Sequence, residues 1–384
     1  MTLHQQRVQE VSDFFNNKDT VLGFRKLLDC AMDTQDMRIY QKAIDLTDWK
    51  EKNPNDEDSL IKKSQDLLQE ISQVKVQELT SEQAVLKAVD VKKSYGFNRF
   101  SLGPVSVEIR KGQVYGLVGE NGNGKTTLLR ILAKELSYNA GNLSFNFKDK
   151  TTSDFDLRTK LIYIPQRTEK WYGSLKDNLK FVLSNYGVNP EENETRTLMM
   201  IARLGLWNYK HLKWSELSSG YKMRFELART LLRQPEILLL DEPLANLDVL
   251  AQQVILEDLK AICNSVNNPI ALILSSQQLY EVEKISDKVI FLKNGQYKDN
   301  LQTSEDEVEG QLIIEIDTTA SREQLLLILE NLNLNELKYN GGIYIASFGE
   351  AAKFSQVLSA LGNSEVEVVY VRNISKSTRR FFVN

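Results

Sequence analysis

A glycine-rich octapeptide near the middle of the chain combines the residue types that bind phosphate. Gly119–Thr126 reads Gly-Glu-Asn-Gly-Asn-Gly-Lys-Thr and lies between an apolar run and a helical pattern, which fits the phosphate-loop pattern. Glycines let successive backbone N–H groups point inward, and the amino end of a helix adds a favourable partial charge for an anion. In such loops the lysine, here Lys125, reaches the β- and γ-phosphates, and the hydroxyl of Thr126 ligates Mg²⁺. The residues expected to contact the nucleotide are Gly119, Glu120, Asn121, Gly122, Asn123, Gly124, Lys125, Thr126 and Thr127.

Two acidic residues at the end of an apolar run form the second candidate element. The run Ile237–Leu240 is followed by Asp241, Glu242 and Pro243. A buried strand delivers such residues to its carboxyl end, where ligands bind in open α/β sheets. There Asp241 can hold Mg²⁺ through its water shell, and Glu242 can act as the general base for an attacking water. A solvated pair of acids at a strand end is the alternative, which the upstream phosphate loop disfavours.

Four further segments complete a series of motifs in a defined order. Tyr95 precedes the phosphate loop, Gln166 follows it, and Leu217–Tyr221 reads Leu-Ser-Ser-Gly-Tyr before the acidic pair. Ala245–Asp248, Ala-Asn-Leu-Asp, comes shortly after that pair. With these segments, the stretch from about 84 to 295 resembles the ATP-binding cassette (ABC) ATPases, the nucleotide-binding subunits of ABC transporters. The resemblance implies an α/β P-loop NTPase cassette, with a mixed, mainly parallel sheet and a helical subdomain, that hydrolyses ATP with Mg²⁺ as cofactor.

The resemblance assigns Tyr95 and Gln166 to the nucleotide. In the family an aromatic ring at the position of Tyr95 stacks on adenine, and a glutamine like Gln166 ligates Mg²⁺ and senses the attached membrane subunit. Each residue also has a purely structural alternative: Tyr95 as an aromatic of the core, and Gln166 as a polar residue that ends a strand. The metal ligands implied are thus Thr126, Gln166 and Asp241.

The segment Leu217–Tyr221 resembles the signature loop of the family, usually Leu-Ser-Gly-Gly-Gln, with Ser in place of one Gly and Tyr in place of Gln. In the family two domains close head to tail around two ATP molecules, so Ser218, Ser219 and Gly220 would approach the γ-phosphate bound by the other subunit. Because one copy of each motif cannot complete a site, the resemblance implies a dimer, with a second copy or with a related chain. Asp248 lies in the segment similar to the loop that crosses that interface. The residues Ser218–Tyr221 can also serve as N-cap and turn for the helix that follows them. This structural role is compatible with a role as signature loop.

Gln277 is the most consequential departure from the family pattern. It follows the apolar run Ile270–Leu274, where the family normally places a histidine that holds the γ-phosphate, Glu242 and the attacking water in line. Glutamine can donate a hydrogen bond to phosphate and accept one from water, but it carries no charge and shuttles no proton. We therefore expect a working but slow ATPase, with Lys125, Glu242 and Gln277 as its catalytic residues.

The elements that must position these residues follow from the hydrophobic pattern. From about Leu86, short apolar runs alternate with helical patterns, which is typical of a parallel sheet covered on both faces. The phosphate loop thus falls between a strand and a helix. Strands are predicted at Val105–Ile109, Val114–Val118, Asn142–Phe147, Leu161–Ile164, Ile237–Leu240, Ile270–Leu274 and Val289–Leu292, and helices at Lys125–Leu136, Met223–Leu232 and Val249–Ile262.

Residues 1–83 are expected to form an N-terminal all-α domain. Apolar residues recur at helical spacing on both sides of a break at 53–55, with Asp58 or Ser59 as the N-cap of the last helix. The stripe from Leu60 to Val74 is either an ordinary core face or a short coiled-coil seam. Residues 1–85 hold 16 acidic and 11 basic side chains, so they carry the whole acidic excess of the chain.

Residues 304–384 are expected to form a small C-terminal α+β domain behind a charged linker, 304–310, and the cassette occupies 84–303. The predicted βαββαβ order is typical of a ferredoxin-like unit, and Asn340–Gly341 is a hairpin signal. The stretch 371–382 combines cations with aromatic residues, and it either contacts a headgroup or partner or packs as an ordinary tail. The predicted strands are Gln311–Asp317, Glu336–Tyr339, Gly342–Ser347 and Val366–Val371, and the helices are Ser321–Leu332 and Gly349–Leu361.

Composition excludes several classes of function. The 384 residues include 48 Lys+Arg and 52 Asp+Glu, a balance that disfavours a basic nucleic-acid binder. Two cysteines and two histidines are too few for a disulfide framework, a zinc cluster or an imidazole metal site. No apolar run approaches the roughly 20 residues that cross a bilayer, and the amino terminus does not resemble a signal peptide. We expect a cytoplasmic protein that reaches the inner face of the cell membrane through a partner subunit.

Two functions are compatible with these features. The first is an ATP-hydrolysing subunit that powers an ABC transporter, expected by analogy to be an exporter, through an integral membrane permease and a second ATPase subunit, expected to be another copy of the chain. The second is a slow, ATP-gated dimerising switch that binds a protein partner through its helical domain, an alternative that Gln277 and the added N-terminal domain favour. A co-purifying membrane subunit distinguishes the two.

Overall fold

The computed structural model describes residues 1–79, 83–96, 100–151, 153–277, 282, 284–298, 312–340, 342–349 and 351–375. The predicted linker 304–310, Gln311, Gly341 of the hairpin signal, and the end of the tail lie outside the described residues. The helices are α1 Leu3–Asn16, α2 Thr20–Thr34, α3 Met37–Lys52, α4 Glu57–Gln73, α5 Lys125–Leu132, α6 Asp154–Lys160, α7 Leu175–Asn185, α8 Pro190–Arg203, α9 Ser219–Leu231, α10 Val249–Cys263, α11 Arg322–Leu329 and α12 Phe354–Gly362. The strands are β1 Ala84–Ser94, β2 Ser101–Arg110, β3 Val114–Val118, β4 Ala140–Phe145, β5 Leu161–Ile164, β6 Ile237–Leu240, β7 Ala271–Ser276, β8 Lys288–Lys293, β9 Gln296–Lys298, β10 Leu312–Thr318, β11 Leu334–Asn340, β12 Ile343–Phe348 and β13 Val368–Asn373.

A six-stranded sheet forms the centre of the cassette, in the order β5-β6-β7-β3-β8-β9. All pairings in it are parallel except that of β8 with β9, so the prediction of a mainly parallel sheet is confirmed. Every residue of β3, β6 and β7 is buried because apolar layers cover both faces. The register pairs Leu240 with Leu274, and Val118 with Ser276. The carboxyl ends of β6, β7 and β3 therefore lie side by side at one edge.

A separate antiparallel sheet, in the order β2-β1-β4, covers one side of the cassette. The predicted strands Val105–Ile109 and Asn142–Phe147 belong to this sheet rather than to the parallel one. Its buried side chains form one core with α5 and one face of the central sheet. The other face of that sheet shares a core with α1–α4 and with α7–α10.

Four helices, not the two stretches predicted, form the described part of the N-terminal segment, residues 1–79. Breaks after α1 and α2 use Lys18 and Gln35, whose φ angles are +60° and +52°. Neither residue is a glycine or proline, which is why composition gave no signal for these breaks. The N-cap of α4 is Asp56, which accepts a hydrogen bond from the backbone of Ser59 at 3.1 Å, so the expected cap at Asp58 or Ser59 was wrong. Leu60, Leu67 and Ile71 are buried as a core face within the segment.

Charged and polar contacts join these N-terminal helices to the cassette. On α2, Arg25 contacts the acids of α10, and Asp29 contacts Arg203 at the end of α8 at 2.8 Å. The buried carboxylate of Asp33 accepts hydrogen bonds from the Ser265 hydroxyl at 2.6 Å and from the backbone of the next residue at 3.1 Å. The N-terminal helices therefore contact both α8 and the end of α10.

The region 312–375 contains a four-stranded antiparallel sheet in the order β11-β12-β10-β13. Helices α11 and α12 pack on one face of it and form a third core. Helix α12 begins at Phe354 rather than at Gly349, so the predicted helix began too early.

Two helix boundaries in the cassette differ from the predicted ones. Helix α5 ends at Leu132 rather than at Leu136, because Lys134 has a φ of +56° that a helix cannot accommodate. Helix α9 begins at Ser219 rather than at Met223, directly after its N-cap Ser218. Within the described ranges, no helix combines the length and the apolar character that crossing a membrane requires.

Candidate nucleotide site

The phosphate loop lies in the turn from β3 to α5, at the carboxyl edge of the sheet. Gly122 and Gly124 have φ angles of +83° and +99°, which favour glycine. A Cβ atom on Gly124 would lie 2.7 Å from the ring of Phe100, and one on Gly119 would lie 2.5 Å from a strand carbonyl. The amide oxygen of Asn123 accepts a hydrogen bond at 3.0 Å from the backbone after β8. The loop therefore has the backbone of an anion-binding nest at the start of a helix.

Lys125 extends underneath this loop. Its side chain is buried, and its ammonium donates to the carbonyl oxygens of Gly119 at 2.7 Å and Glu120 at 3.3 Å. The same ammonium lies 3.6 Å from a carboxylate oxygen of Glu242. Thr126 and Thr127 lie in the first turn of α5, with Thr126 exposed. The positive charge of the loop thus faces the acidic pair that follows β6.

Asp241 is buried, and both of its carboxylate oxygens accept hydrogen bonds. The Ser275 hydroxyl donates to Oδ1 at 2.7 Å, and the Tyr163 hydroxyl donates to Oδ2 at 3.1 Å. Burial and the negative charge of Asp241 raise the pKa of Tyr163 above its ordinary value, which already leaves the phenol protonated at neutral pH. Sequence reasoning missed both donors. The one signal for them was the presence of polar residues near the carboxyl ends of the buried strands β5 and β7.

Hydrogen-bond and charge partners from three separate segments converge on the Glu242 carboxylate. Gln166 donates to its Oε2 at 2.9 Å, and the Gln277 amide approaches its two oxygens at 2.9 and 2.8 Å. The Lys125 ammonium completes the cluster. The structure therefore brings together Lys125, Gln166, Asp241, Glu242 and Gln277, which the sequence separates by up to about 150 positions.

The predicted signature loop makes its described hydrogen bonds to residues outside this cluster. Ser218 caps α9 by accepting from the backbone of Tyr221 at 3.5 Å, and the Ser219 hydroxyl donates to the carbonyl of Asn246 at 3.2 Å. The Tyr221 ring packs against Tyr209 with the ring centroids 3.8 Å apart and the planes tilted by 32°, and their hydroxyls are 2.7 Å apart. Within the described part of the chain, no hydrogen bond joins Ser218–Gly220 to the phosphate loop.

Two other predicted residues have clear structural settings. Tyr95 is 44% exposed, with Lys93 lying 5.5 Å above its ring, so it is not a core aromatic. Asp248 caps α10 by accepting from the backbone of Ala251 at 2.8 Å. Neither contacts the cluster around Glu242 through any contact described here.

Comparison with known proteins identifies the family. The sequence model of the ABC transporter family matches residues 102–245. The lantibiotic transport ATP-binding protein SrtF of Streptococcus pyogenes is 32% identical over 212 residues, which are 55% of this chain and 88% of that protein. The chain belongs to the ABC transporter ATP-binding proteins. It is therefore an ATP-binding ATPase of this class, with the cassette fold.

Other relatives of this ABC ATPase come from different transport systems. The Fe(3+) ions import ATP-binding protein FbpC of Fusobacterium nucleatum is 31% identical over 213 residues, covering 55% of this chain and 56% of that protein. Among solved structures, cbiO1 from Clostridium perfringens, part of the ABC transporter complex cbiONQ, has a TM-score of 0.52 at 25% identity. That match covers 56% of this chain and 88% of cbiO1.

Replacing Gln277 with His is expected to raise the ATP turnover of this ABC ATPase, on the order of tenfold. Histidine can exchange a proton in the reaction, whereas the glutamine amide only holds Glu242 by hydrogen bonds. The measurement is phosphate release at saturating ATP across pH 5.5–8.5, in which the variant should gain a titration near the histidine pKa of about 6.5. Gln65→His, on the exposed surface of α4, is the control. Unchanged or lower turnover for the Gln277 variant would count against a role for this position in the rate.

Proposed function

We propose that this ATPase subunit hydrolyses ATP at the cluster around Glu242 and powers a transporter through a separate integral membrane permease. The observation that carries the proposal is the convergence of Lys125, Gln166 and Gln277 on one carboxylate, directly beside a buried Asp241. An isolated surface acid has no need of three such donors. A general base beside a phosphate loop needs to be oriented in this way.

The residues at this edge fit ATP and Mg²⁺. The phosphate loop faces open space at Gly122, and Lys125 supplies a positive charge at the base of the loop. The Thr126 hydroxyl and the Asp241 carboxylate are hard oxygen ligands of the kind Mg²⁺ prefers, and Gln166 adds an amide oxygen. When bound, Mg²⁺ would neutralise charge on the β- and γ-phosphates. Glu242 would then orient and deprotonate the attacking water, with Gln277 fixing the direction of the carboxylate.

A dimer with a second ATPase subunit would complete each site. Ser218–Gly220 lies at the amino end of α9, where backbone N–H groups have no partner within the helix, so these groups would contact a nucleotide on a partner. Val249 and Leu250, next to Asp248 at the start of α10, are 72% and 76% exposed. Such apolar exposure beside the signature loop suits an interface between two copies of this chain. Tyr95 would stack on the adenine of its own subunit.

We infer three domains, with boundaries at 1–83, 84–303 and 304–384. The separate core of the last region and the four helices in the described part of the first support this division. The strand order β11-β12-β10-β13, with both helices on one face, is that of a ferredoxin-like unit.

The membrane partner would dock on the region 170–216, close to Gln166. Tyr172 is 90% exposed and Phe181 is 64% exposed there, and both side chains are large enough to anchor an interface. Docking would place the ATPase at the cytoplasmic face of the membrane. For the direction of transport we propose export, which is supported by analogy with single cassettes that carry a small added domain.

Purification of the native complex from membranes tests the proposal. With mild detergent, a tagged copy of the full chain should retain an integral membrane subunit in stoichiometric amount. Tyr172→Glu combined with Phe181→Glu should release that subunit, whereas Val21→Glu, on the exposed surface of α2, should not. If no membrane subunit co-purifies, the transporter function is wrong. A soluble partner bound through α1–α4 would then support the ATP-gated switch.

A further inference from the structure

Ser275 is a fully buried hydroxyl that contacts both acids at the end of β6. It donates to Asp241 Oδ1 at 2.7 Å and accepts from the backbone N–H of Glu242 at 2.8 Å. We propose that Ser275 is a positioning residue for ATP hydrolysis, which holds the metal-side acid Asp241 and the base Glu242 in one fixed geometry. This inference rests on the proposed roles of those two acids.

The directions of the two hydrogen bonds follow from the chemistry of the hydroxyl. A serine hydroxyl has one proton and two lone pairs. A backbone N–H can only donate, so the hydroxyl must accept from Glu242 and give its own proton to the Asp241 carboxylate. The Tyr163 hydroxyl donates to the other carboxylate oxygen of Asp241. Ser275 thus fixes the orientation of the Asp241 carboxylate.

The backbone of Glu242 needs such a support. Its φ angle is +49°, a left-handed conformation that side-chain-bearing residues adopt only when their surroundings hold them there. The hydrogen bond from its N–H to Ser275 fixes the peptide at that point. The conformation directs the Glu242 carboxylate towards Lys125, Gln166 and Gln277. A shift of this peptide would move the general base relative to the phosphate loop.

Tyr163 allows the contact with Asp241 to be tested separately from the contact with Glu242. Its hydroxyl contacts Asp241 but has no contact with Glu242 among the described hydrogen bonds. Removal of the Tyr163 hydroxyl should therefore disturb the metal side only. Removal of the Ser275 hydroxyl should disturb both acids, because a buried N–H and a carboxylate oxygen would each lose a partner.

The experiment compares Ser275→Ala and Tyr163→Phe with the wild-type chain. For Ser275→Ala, kcat should fall on the order of 30-fold at saturating Mg²⁺, while KM for ATP stays within about twofold. Metal-free binding of a fluorescent ATP analogue should be unchanged. Tyr163→Phe should weaken Mn²⁺ binding to the ATP complex, measured by electron paramagnetic resonance, and change kcat at saturating metal by less than about threefold. Ser275→Ala should weaken Mn²⁺ binding as well.

Controls separate positioning from a loss of folding. Ser64→Ala removes another fully buried serine hydroxyl, in α4, and should leave every readout unchanged. Should Ser275→Ala fail to fold, Ser275→Cys is close in size and donates only weakly, so it should fold and still show a lowered kcat. Wild-type kcat in the folded Ser275 variant overturns the positioning role. A loss of metal-free nucleotide binding that equals the loss of kcat overturns it too.

A different variant, Glu242→Gln, tests the proposed roles of the two acids themselves. If Glu242→Gln abolishes turnover but Ser275→Ala does not, only the inference about Ser275 fails. If Glu242→Gln retains turnover, the proposed roles of the acids fail first.

Discussion

Glu242→Gln is expected to lower ATP turnover on the order of a thousandfold while the protein still binds ATP. The amide is the same size as the carboxylate, so the packing around it is kept, but it cannot take a proton from water. The carboxylate also provides the negative charge 3.6 Å from the Lys125 ammonium, whose hydrogen bonds to the phosphate loop do not depend on it. Phosphate release and filter binding of labelled ATP measure the two effects separately.

The same variant should accumulate as a dimer in ATP. If two copies close around the nucleotide, as proposed above, a site that cannot hydrolyse ATP remains closed. Size-exclusion chromatography with light scattering should show a dimer of the variant in MgATP and a monomer in MgADP. Glu10→Gln, at an exposed position of α1, should behave like the wild-type chain. A Glu242→Gln variant that stays monomeric in ATP would contradict the proposed closure.

Most residues of the site were predictable because their chemistry is local in sequence. A glycine loop before Lys125 and an apolar strand before Asp241 each carry their own signal, and the parallel sheet places both at one edge. Ser275 carried only the weak signal of a polar residue near the end of an apolar strand, where a serine is common. Its role arises from the register that sets β7 beside β6, which pairs Leu240 with Leu274. Register is a property of the assembled sheet and not of either strand.

The boundaries of the N-terminal helices likewise could not be predicted from the sequence. Their helical character followed from apolar spacing, but the breaks at Lys18 and Gln35 depend on backbone angles that these residue types rarely adopt. Beside the shared apolar core, charged residues that look like an ordinary solvated surface in the sequence join these helices to the cassette. Arg25 is the clearest case.

Arg25→Ala is expected to destabilise the folded chain by about 3 kcal/mol. The guanidinium donates to Asp258 at 2.8 Å, to Glu257 at 2.7 Å and to the carbonyl of Val254 at 3.3 Å. Desolvation raises the pKa of the nearly buried Asp258, and Arg25 is the main group that opposes this effect. Without Arg25 the carboxylate would be buried with its closest partner missing, which costs more than the loss of an exposed ion pair. Urea unfolding followed by tryptophan fluorescence measures the change.

A second substitution tests whether the uncompensated Asp258 carboxylate causes the loss of stability. Adding Asp258→Asn to Arg25→Ala removes the uncompensated carboxylate and should recover more than half of the lost stability. Arg38→Ala is the matched control, because that arginine pairs with Asp36 at 2.8 Å while its own side chain is 87% exposed. Its unfolding midpoint should equal that of the wild-type chain. If Arg25→Ala changes the midpoint no more than Arg38→Ala does, the contact between α2 and α10 contributes little, and the N-terminal helices must be held by their apolar packing against α8.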